Sequence, residues 1–231
     1  MKIGGLQRLS LVDYPGKVAT AIFTLGCNFR CGYCHNPELV VPEQYADELD
    51  ESEILRYLRT RVDKIDGVAI SGGEPTLHKD LPDFVRQIKD MGLEVKLDSN
   101  GSNPDMLEEL LAGKLVDFVA MDVKGPLEKY QQIMSWRIDP EIVRRSVRTI
   151  IDSKVAHEFR TTIVRSQLEV DNFHEIGKLV KGAERYALQR FRPTTCMVNT
   201  EKFENESTYS DKELERARRI MLGYVKTCVV H

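Results

Sequence analysis

The 231-residue chain is predicted to be an α/β protein, an incomplete (β/α)6 barrel open along one side. Three observations carry this prediction. Short apolar runs alternate about six times with amphipathic helical patterns, the signature of a parallel sheet. The chain falls short of the ~250 residues of a closed eight-fold barrel. Each unusual motif directly follows a predicted strand, the end of a barrel that carries active sites. One domain spanning 1–231 is expected, with a lead-in over 1–17, a partial barrel core over 18–192 and a C-terminal extension over 193–231. No linker or low-complexity stretch interrupts it.

The elements follow in order. Gly4, Gly5, Pro15 and Gly16 make residues 1–17 an extended lead-in with a turn. Val18–Leu25 is the first strand, and 37–49 read as irregular. Asp50 and Glu53 form a capping-box pattern before a helix with Ile54, Leu55, Leu58 and Val62 on one side. Gly67–Ser71 is the second strand, followed by a helix over Asp80–Asp90 with Leu81, Phe84, Val85 and Ile88 inward. In Leu93–Leu97, Glu94 and Lys96 alternate with apolar residues, a strand signal. Asn103-Pro104 caps and opens a helix that stops at Gly113. Val116–Met121 is the fourth strand, and Asp139-Pro140 opens the next helix. Val155–Val164, a helix over Asp171–Lys181 and the strand Tyr186–Phe191 follow. Ser210 and Glu213 form a second capping box, and Tyr224–Val230 is a last strand or an extended tail.

Composition narrows the function. With 42% apolar residues, 30% charged residues and a net charge of −3, the chain lacks the basic excess of a nucleic-acid binder. No run approaches the ~20 apolar residues of a membrane span. The first thirty residues show no charged-then-apolar leader. The expectation is a cytoplasmic protein with reduced thiols.

Cys27, Cys31 and Cys34 lie within eight residues, just after the first strand and Gly26. A cubane iron–sulfur cluster held by cysteine uses four thiolates. Three would leave one iron open to a substrate. The same spacing also allows a structural zinc site, a disulfide or chance. Zinc needs a fourth ligand, and His35 is the only neighbour of that kind. A disulfide sits poorly with five cysteines, an odd number.

Ser71-Gly72-Gly73-Glu74-Pro75 follows the second strand, and its two glycines let backbone approach a ligand. Asp98-Ser99-Asn100-Gly101 follows the third, with hydroxyl-binding groups beside a tight turn. Asp122 and Lys124 alternate with Met121 and Val123, so the two charges share a face. Arg160 is a charge inside an apolar strand and calls for a partner or a ligand. Gln189 and Arg192 flank the end of the sixth strand. Read alone, these are ordinary turns and solvated strand ends. Cys196 and Cys228 are expected as packing thiols, and Trp136 as packing or partner contact.

The cysteine spacing, with Tyr33 before the last thiol, resembles the radical S-adenosylmethionine (SAM) enzymes, and Gly72-Gly73-Glu74-Pro75 matches their amino-group motif. Val12-Asp13-Tyr14-Pro15-Gly16, Cys34-His35-Asn36-Pro37, Asp98-Ser99-Asn100-Gly101 and Met121-Asp122-Val123-Lys124 resemble the activating proteins of glycyl-radical enzymes. Glu158-Phe159-Arg160-Thr161-Thr162 and Leu188-Gln189-Arg190-Phe191-Arg192-Pro193 are most similar to the activators of anaerobic ribonucleoside-triphosphate reductase. The resemblance spans nearly the whole chain.

It implies a partial barrel of the radical SAM type, with a [4Fe–4S] cluster on Cys27, Cys31 and Cys34 and S-adenosylmethionine on the open iron. It puts Gly72, Gly73 and Glu74 at the methionine amino group and Asp98 and Ser99 near the ribose or a monovalent cation. Asp13 and Met121 would complete that cation site, and Lys124 and Arg160 would meet the carboxylate. No catalytic side chain is implied beyond the cluster. Ser99 stands where relatives often carry threonine, and the sixth strand lacks the usual glycine-rich adenine motif. The implied partners are a glycyl-radical enzyme, first anaerobic ribonucleotide reductase, and a flavodoxin- or ferredoxin-like electron donor. Activation of another glycyl-radical enzyme such as pyruvate formate-lyase, small-molecule radical chemistry, and a non-enzymatic iron–sulfur carrier are the competing readings.

Overall fold

Buried strands and one-sided helices force the chain into layers, and the computed structural model, which describes residues 1–231, shows how. The strands are β1 (Ile3–Ser10), β2 (Ala19–Thr24), β3 (Gly67–Gly72), β4 (Glu94–Ser99), β5 (Phe118–Asp122), β6 (Ala156–Ile163), β7 (Arg185–Arg190) and β8 (Thr227–Val230). They form one sheet in sequential order, and β1 and β8 do not pair with each other, so the barrel stays open. β2 to β8 are parallel, and β1 runs antiparallel to β2. The six predicted strands are β2–β7. The lead-in contributes an edge strand that its glycines hid, and the tail closes the other edge as β8.

The helices are α1 (Pro37–Val40), α2 (Glu51–Arg59), α3 (Leu81–Asp90), α4 (Pro104–Ala112), α5 (Tyr130–Met134), α6 (Pro140–Ser153), α7 (Asn172–Leu179), α8 (Thr200–Phe203) and α9 (Asp211–Leu222). Each long helix turns one stripe to the sheet. In α3, Leu81, Phe84, Val85 and Ile88 are buried, each contributing about 1.5–3 kcal/mol. Asn103, Asp139 and Ser210 cap their helices through side-chain oxygens, Ser210 in a full capping box with Glu213.

Two local expectations are corrected. Asp50 caps α2 through Ser52 N–H without a reciprocal Glu53 bond, and α2 ends at Arg59, leaving Val62 exposed. The stretch 37–49 holds α1 and a 3-10 turn (Pro42–Gln44) in place of irregular chain. No helix is long and apolar enough to cross a membrane.

The loop between β1 and β2 lies at the amino ends of the parallel strands. Tyr14 is buried there, its hydroxyl donating to Glu94 at 3.1 Å and its ring 6.0 Å from that of Phe118. Lys17 pairs with the same Glu94 at 2.7 Å. This loop plugs the bottom of the barrel and leaves the carboxyl ends of the strands as the open face.

Candidate functional site

At that face the ends of β2 to β6 surround a cavity of ≈ 260 Å³. Cys27, Cys31 and Cys34 line one side of it. Gly72, Gly73 and Glu74, Asp98 and Ser99, Lys124, and Arg160 line the others. The structure thus gathers every sequence-predicted site residue except Asp13 and Met121.

The thiols are held by local backbone bonds. Gly26 adopts φ +93° and donates to Leu39 O at 2.8 Å, closing the loop on itself. Cys34 N–H donates to Cys31 O at 3.0 Å. Cys27 Sγ accepts from Phe29 N–H at 3.3 Å and from Asn100 Nδ2 at 3.8 Å. Burial pushes all three thiols up, Cys27 to about 12 with help from Glu74, while Lys124 opposes the rise at Cys31. A bound metal centre would reverse that, because it deprotonates a coordinating thiol outright. N–H donors aimed at Cys27 sulfur suit a thiolate. No three His, Cys, Asp or Glu side chains draw together as they would around a single ion. Three thiols lining one cavity are a donor set that suits an iron–sulfur cluster. Cys196 is exposed and Cys228 buried, both outside this cavity.

The Gly-Gly turn is shaped by the thiol loop. Gly72 has φ +114°, and a Cβ there would meet Thr24 N at 2.2 Å; a Cβ on Gly73 would meet Gly26 O at 2.0 Å. Gly73 N–H donates to Thr24 O and Glu74 N–H to Gly26 O, at 2.9 and 2.8 Å. Backbone meets backbone here, so neither neighbour can rotate away. Gly73→Ala is therefore expected to displace the turn from the thiol loop, costing about 1–3 kcal/mol and lowering cluster content on reconstitution. Thermal melts and iron assays check this; an alanine protein with normal values for both would refute the close-approach explanation.

Glu74 lines the cavity, but its carboxylate is already engaged. Its side chain is fully buried, and its carboxylate accepts from Thr76 N–H and hydroxyl, Ser99 Oγ at 2.9 Å and Asn100 N–H at 2.6 Å. Burial raises its pKa, and these donors oppose the rise. Glu74 thus ties the β3 and β4 loops together at the cavity wall. Ser99 is likewise engaged: its hydroxyl donates to Glu74 and accepts from Gly101 N–H at 3.0 Å.

Charges alternate across the cavity floor. Arg160 donates to Asp122 Oδ1 at 2.5 Å and Asp98 Oδ2 at 3.1 Å. Lys124 pairs with Asp122 at 2.8 Å, and Lys96 pairs with Asp98. Burial alone would raise both aspartates. Arg160, with Lys96 at Asp98 and Lys124 at Asp122, holds both below the ordinary carboxylate value. Burial would lower Lys124, yet Asp122 keeps it well above the usual lysine value. Three cations face two anions, so the network carries about one net positive charge and suits a ligand carboxylate.

The sequence gives Lys96 no role beyond strand alternation, yet it is only 3% exposed. The available signal was period two: Lys96 and Asp98 share a strand face. Asn100 donates to Cys27 Sγ and to Asn28 Oδ1 at 3.0 Å, although its sequence context signals only a turn.

The expected cation trio is corrected at one member, Asp13, which does not join the other two. Asp13 sits in the plug at the amino ends of the strands, beside Tyr14. Asp98 lies at the other end, about 13 Å further along β4 than Glu94, the partner of Tyr14. Met121 stays near Asp98, standing on β5 opposite Ser99 with its side chain buried against Gly101.

A sheet open at one side, with three thiols, a glycine turn and a charged floor at its carboxyl end, defines a class. The radical SAM superfamily model matches residues 21–181, and the chain belongs to that superfamily, within the family of glycyl-radical enzyme activating enzymes. A Methanocaldococcus jannaschii protein named as a glycyl-radical enzyme activating enzyme is 34% identical over 235 residues, covering 99% of this chain and 95% of its own. The pyruvate formate-lyase-activating enzyme of Clostridium pasteurianum is 34% identical over 128 residues, 53% of this chain and 52% of its own. Among solved structures, Streptococcus suis SuiB bound to S-adenosylmethionine superposes with TM-score 0.69 at 14% identity, covering 91% of this chain and 51% of that one. Coproporphyrinogen III oxidase from Escherichia coli gives TM-score 0.63 at 12% identity, covering 92% and 53%. These two likenesses show the fold. Superfamily membership implies a [4Fe–4S] cluster and S-adenosylmethionine.

Proposed function

We propose that the chain generates a glycyl radical on a partner polypeptide, anaerobic ribonucleoside-triphosphate reductase being the first partner to test. The carrying observation is the shared cavity of three thiols and a net-positive floor at the open end of the barrel. Cys27, Cys31 and Cys34 would hold the cluster. When bound, it supplies the electron that splits S-adenosylmethionine into methionine and a 5′-deoxyadenosyl radical.

The remaining work belongs to the chain. The Gly72–Gly73 backbone would meet the methionine amino group, positioned by Glu74 from behind. Lys124 and Arg160 would attract the carboxylate, with Lys96 adding to the same charge. Asp98 would keep Arg160 aimed into the cavity and stand near the ribose. The buried floor excludes water from a radical that abstracts hydrogen without discrimination. A peptide glycine suits as target, because its flanking amide and carbonyl delocalise the unpaired electron. The open side of the sheet admits a partner's loop.

A second partner, pyruvate formate-lyase, is favoured by the matches to its activating enzymes in Clostridium pasteurianum and Listeria monocytogenes, each over 53% of this chain. Anaerobic reconstitution with dithionite and S-adenosylmethionine tests the proposal, scoring 5′-deoxyadenosine by chromatography and glycyl radical by electron paramagnetic resonance on each enzyme. A radical on the reductase supports the first partner; one on the lyase alone moves the assignment to the second. No deoxyadenosine rules out radical chemistry.

A further inference from the structure

The thiol loop is a wall between two spaces. Cys31 faces the central cavity, while its neighbours Arg30 and Gly32 line a separate surface pocket of ≈ 210 Å³ on the outside of the loop. That pocket holds two cations, Arg30 and Lys202, and no acidic residue. Its other polar lining comes from Gln132, Ser135, Gln167 and Asn199. Asn199 N–H donates to Gly32 O at 2.8 Å. Phe203 stacks edge-on against Tyr33 at 6.0 Å, under the Lys202 ammonium. Val198 N–H likewise donates to Cys34 O at 3.0 Å and Arg30 N–H to Met134 O at 2.9 Å, so the outer surface is coupled to the thiol loop through three backbone hydrogen bonds and one aromatic contact. Trp136, 49% exposed, follows Ser135 in the chain at the pocket edge, and Arg137 beside it is exposed.

The two faces of the loop have different access. The central cavity lies at the open end of the sheet, with the exposed His35 and Asn36 in its lining, and under the proposed function a substrate polypeptide would fill it. An electron must still reach the cluster, and transfer weakens steeply with distance. The outer pocket reaches the same loop without crossing the substrate route. A basic hollow beside an exposed tryptophan fits an acidic partner, and redox encounters use small interfaces of this kind.

We propose that the pocket formed by Arg30, Gly32 and Lys202, with Trp136 and Arg137 at its edge, docks an acidic one-electron carrier protein that reduces the cluster from outside the loop. One electron leaves the carrier, oxidising it, and enters the cluster, with no bond made or broken. The inference rests on the radical SAM reading of the central cavity.

The test is stopped-flow reduction of the anaerobically reconstituted protein by reduced flavodoxin and by reduced ferredoxin, with dithionite as the small reductant. Lys202→Glu and Arg137→Glu are both exposed changes and touch none of the central cavity. Each is expected to slow reduction by the carrier about tenfold or more at low salt and to flatten its dependence on ionic strength. Reduction by dithionite, and deoxyadenosine formation driven by dithionite, should stay at wild-type rates. Unchanged carrier rates, an equal loss with dithionite, or a wild-type cluster that neither carrier reduces would each overturn the docking site. Failure of the wild type to form deoxyadenosine with dithionite would instead strike the radical SAM reading itself.

Discussion

Cys31→Ala is expected to fold and to hold no cluster. The side chain is small and 6% exposed, so its truncation costs about 1 kcal/mol, and far-ultraviolet circular dichroism should match the wild type. Two thiols cannot grip a cubane that already lacks a fourth protein ligand. Iron content after reconstitution should fall from about four per chain to below about one, and deoxyadenosine formation should drop to background. The remaining cysteines cannot compensate, because Cys196 and Cys228 lie outside the cavity. An unaltered cluster spectrum in this variant would remove Cys31 from the ligand set, and the proposed chemistry with it.

Arg160→Leu should give the second large effect, in stability and ligand affinity together. The guanidinium bridges two buried aspartates. Its removal leaves each with one lysine partner, so the loss lies at the low end for a broken buried pair, about 3 kcal/mol. That corresponds to a fall in Tm of roughly 6–12 °C. The floor loses its net positive charge, and S-adenosylmethionine should bind about tenfold to a hundredfold more weakly, the range for a lost charge-assisted bond.

The pH dependence has a fixed sign. Asp98 and Asp122 have folded values below the ordinary 3.8, so they add stability above that pH and lose it as pH falls through the lower folded values. Without Arg160 the depression shrinks, and the acid unfolding limb should begin at higher pH. Scanning calorimetry across pH and isothermal titration with S-adenosylmethionine measure both effects. Wild-type melting and affinity in Arg160→Leu would mean that the bridge carries neither.

Local pattern made much of this molecule legible. Asp122 and Lys124 share a face because strand side chains alternate, and they pair as that alternation requires. The three thiols fall on one loop because only six residues lie between the first and the last. Asp139-Pro140 and Asn103-Pro104 start helices because a cap followed by proline satisfies the first turn within itself. Each signal needs nothing beyond a few neighbouring residues.

What stayed hidden depends on parts of the chain that meet only after folding. The segment around Glu74 suggests a ligand-facing carboxylate; its burial follows from the β4 loop, which supplies Ser99 and Asn100 as donors. Asp13 belongs to a shared motif, but the antiparallel return of β1 carries it to the plug, a barrel's depth from Asp98. Lys96 looks like a solvated strand residue until the sheet curls and turns its face inward, where Asp98 holds it.

Residue order alone determined the alternation of elements, the thiol trio and the glycine turn, because each is written within one turn or one strand. The closed floor, the bridging role of Arg160 and the second face of the thiol loop were decided by tertiary structure. They arise from curvature of the sheet and from pairings between residues tens of positions apart, for which no local spacing leaves a trace.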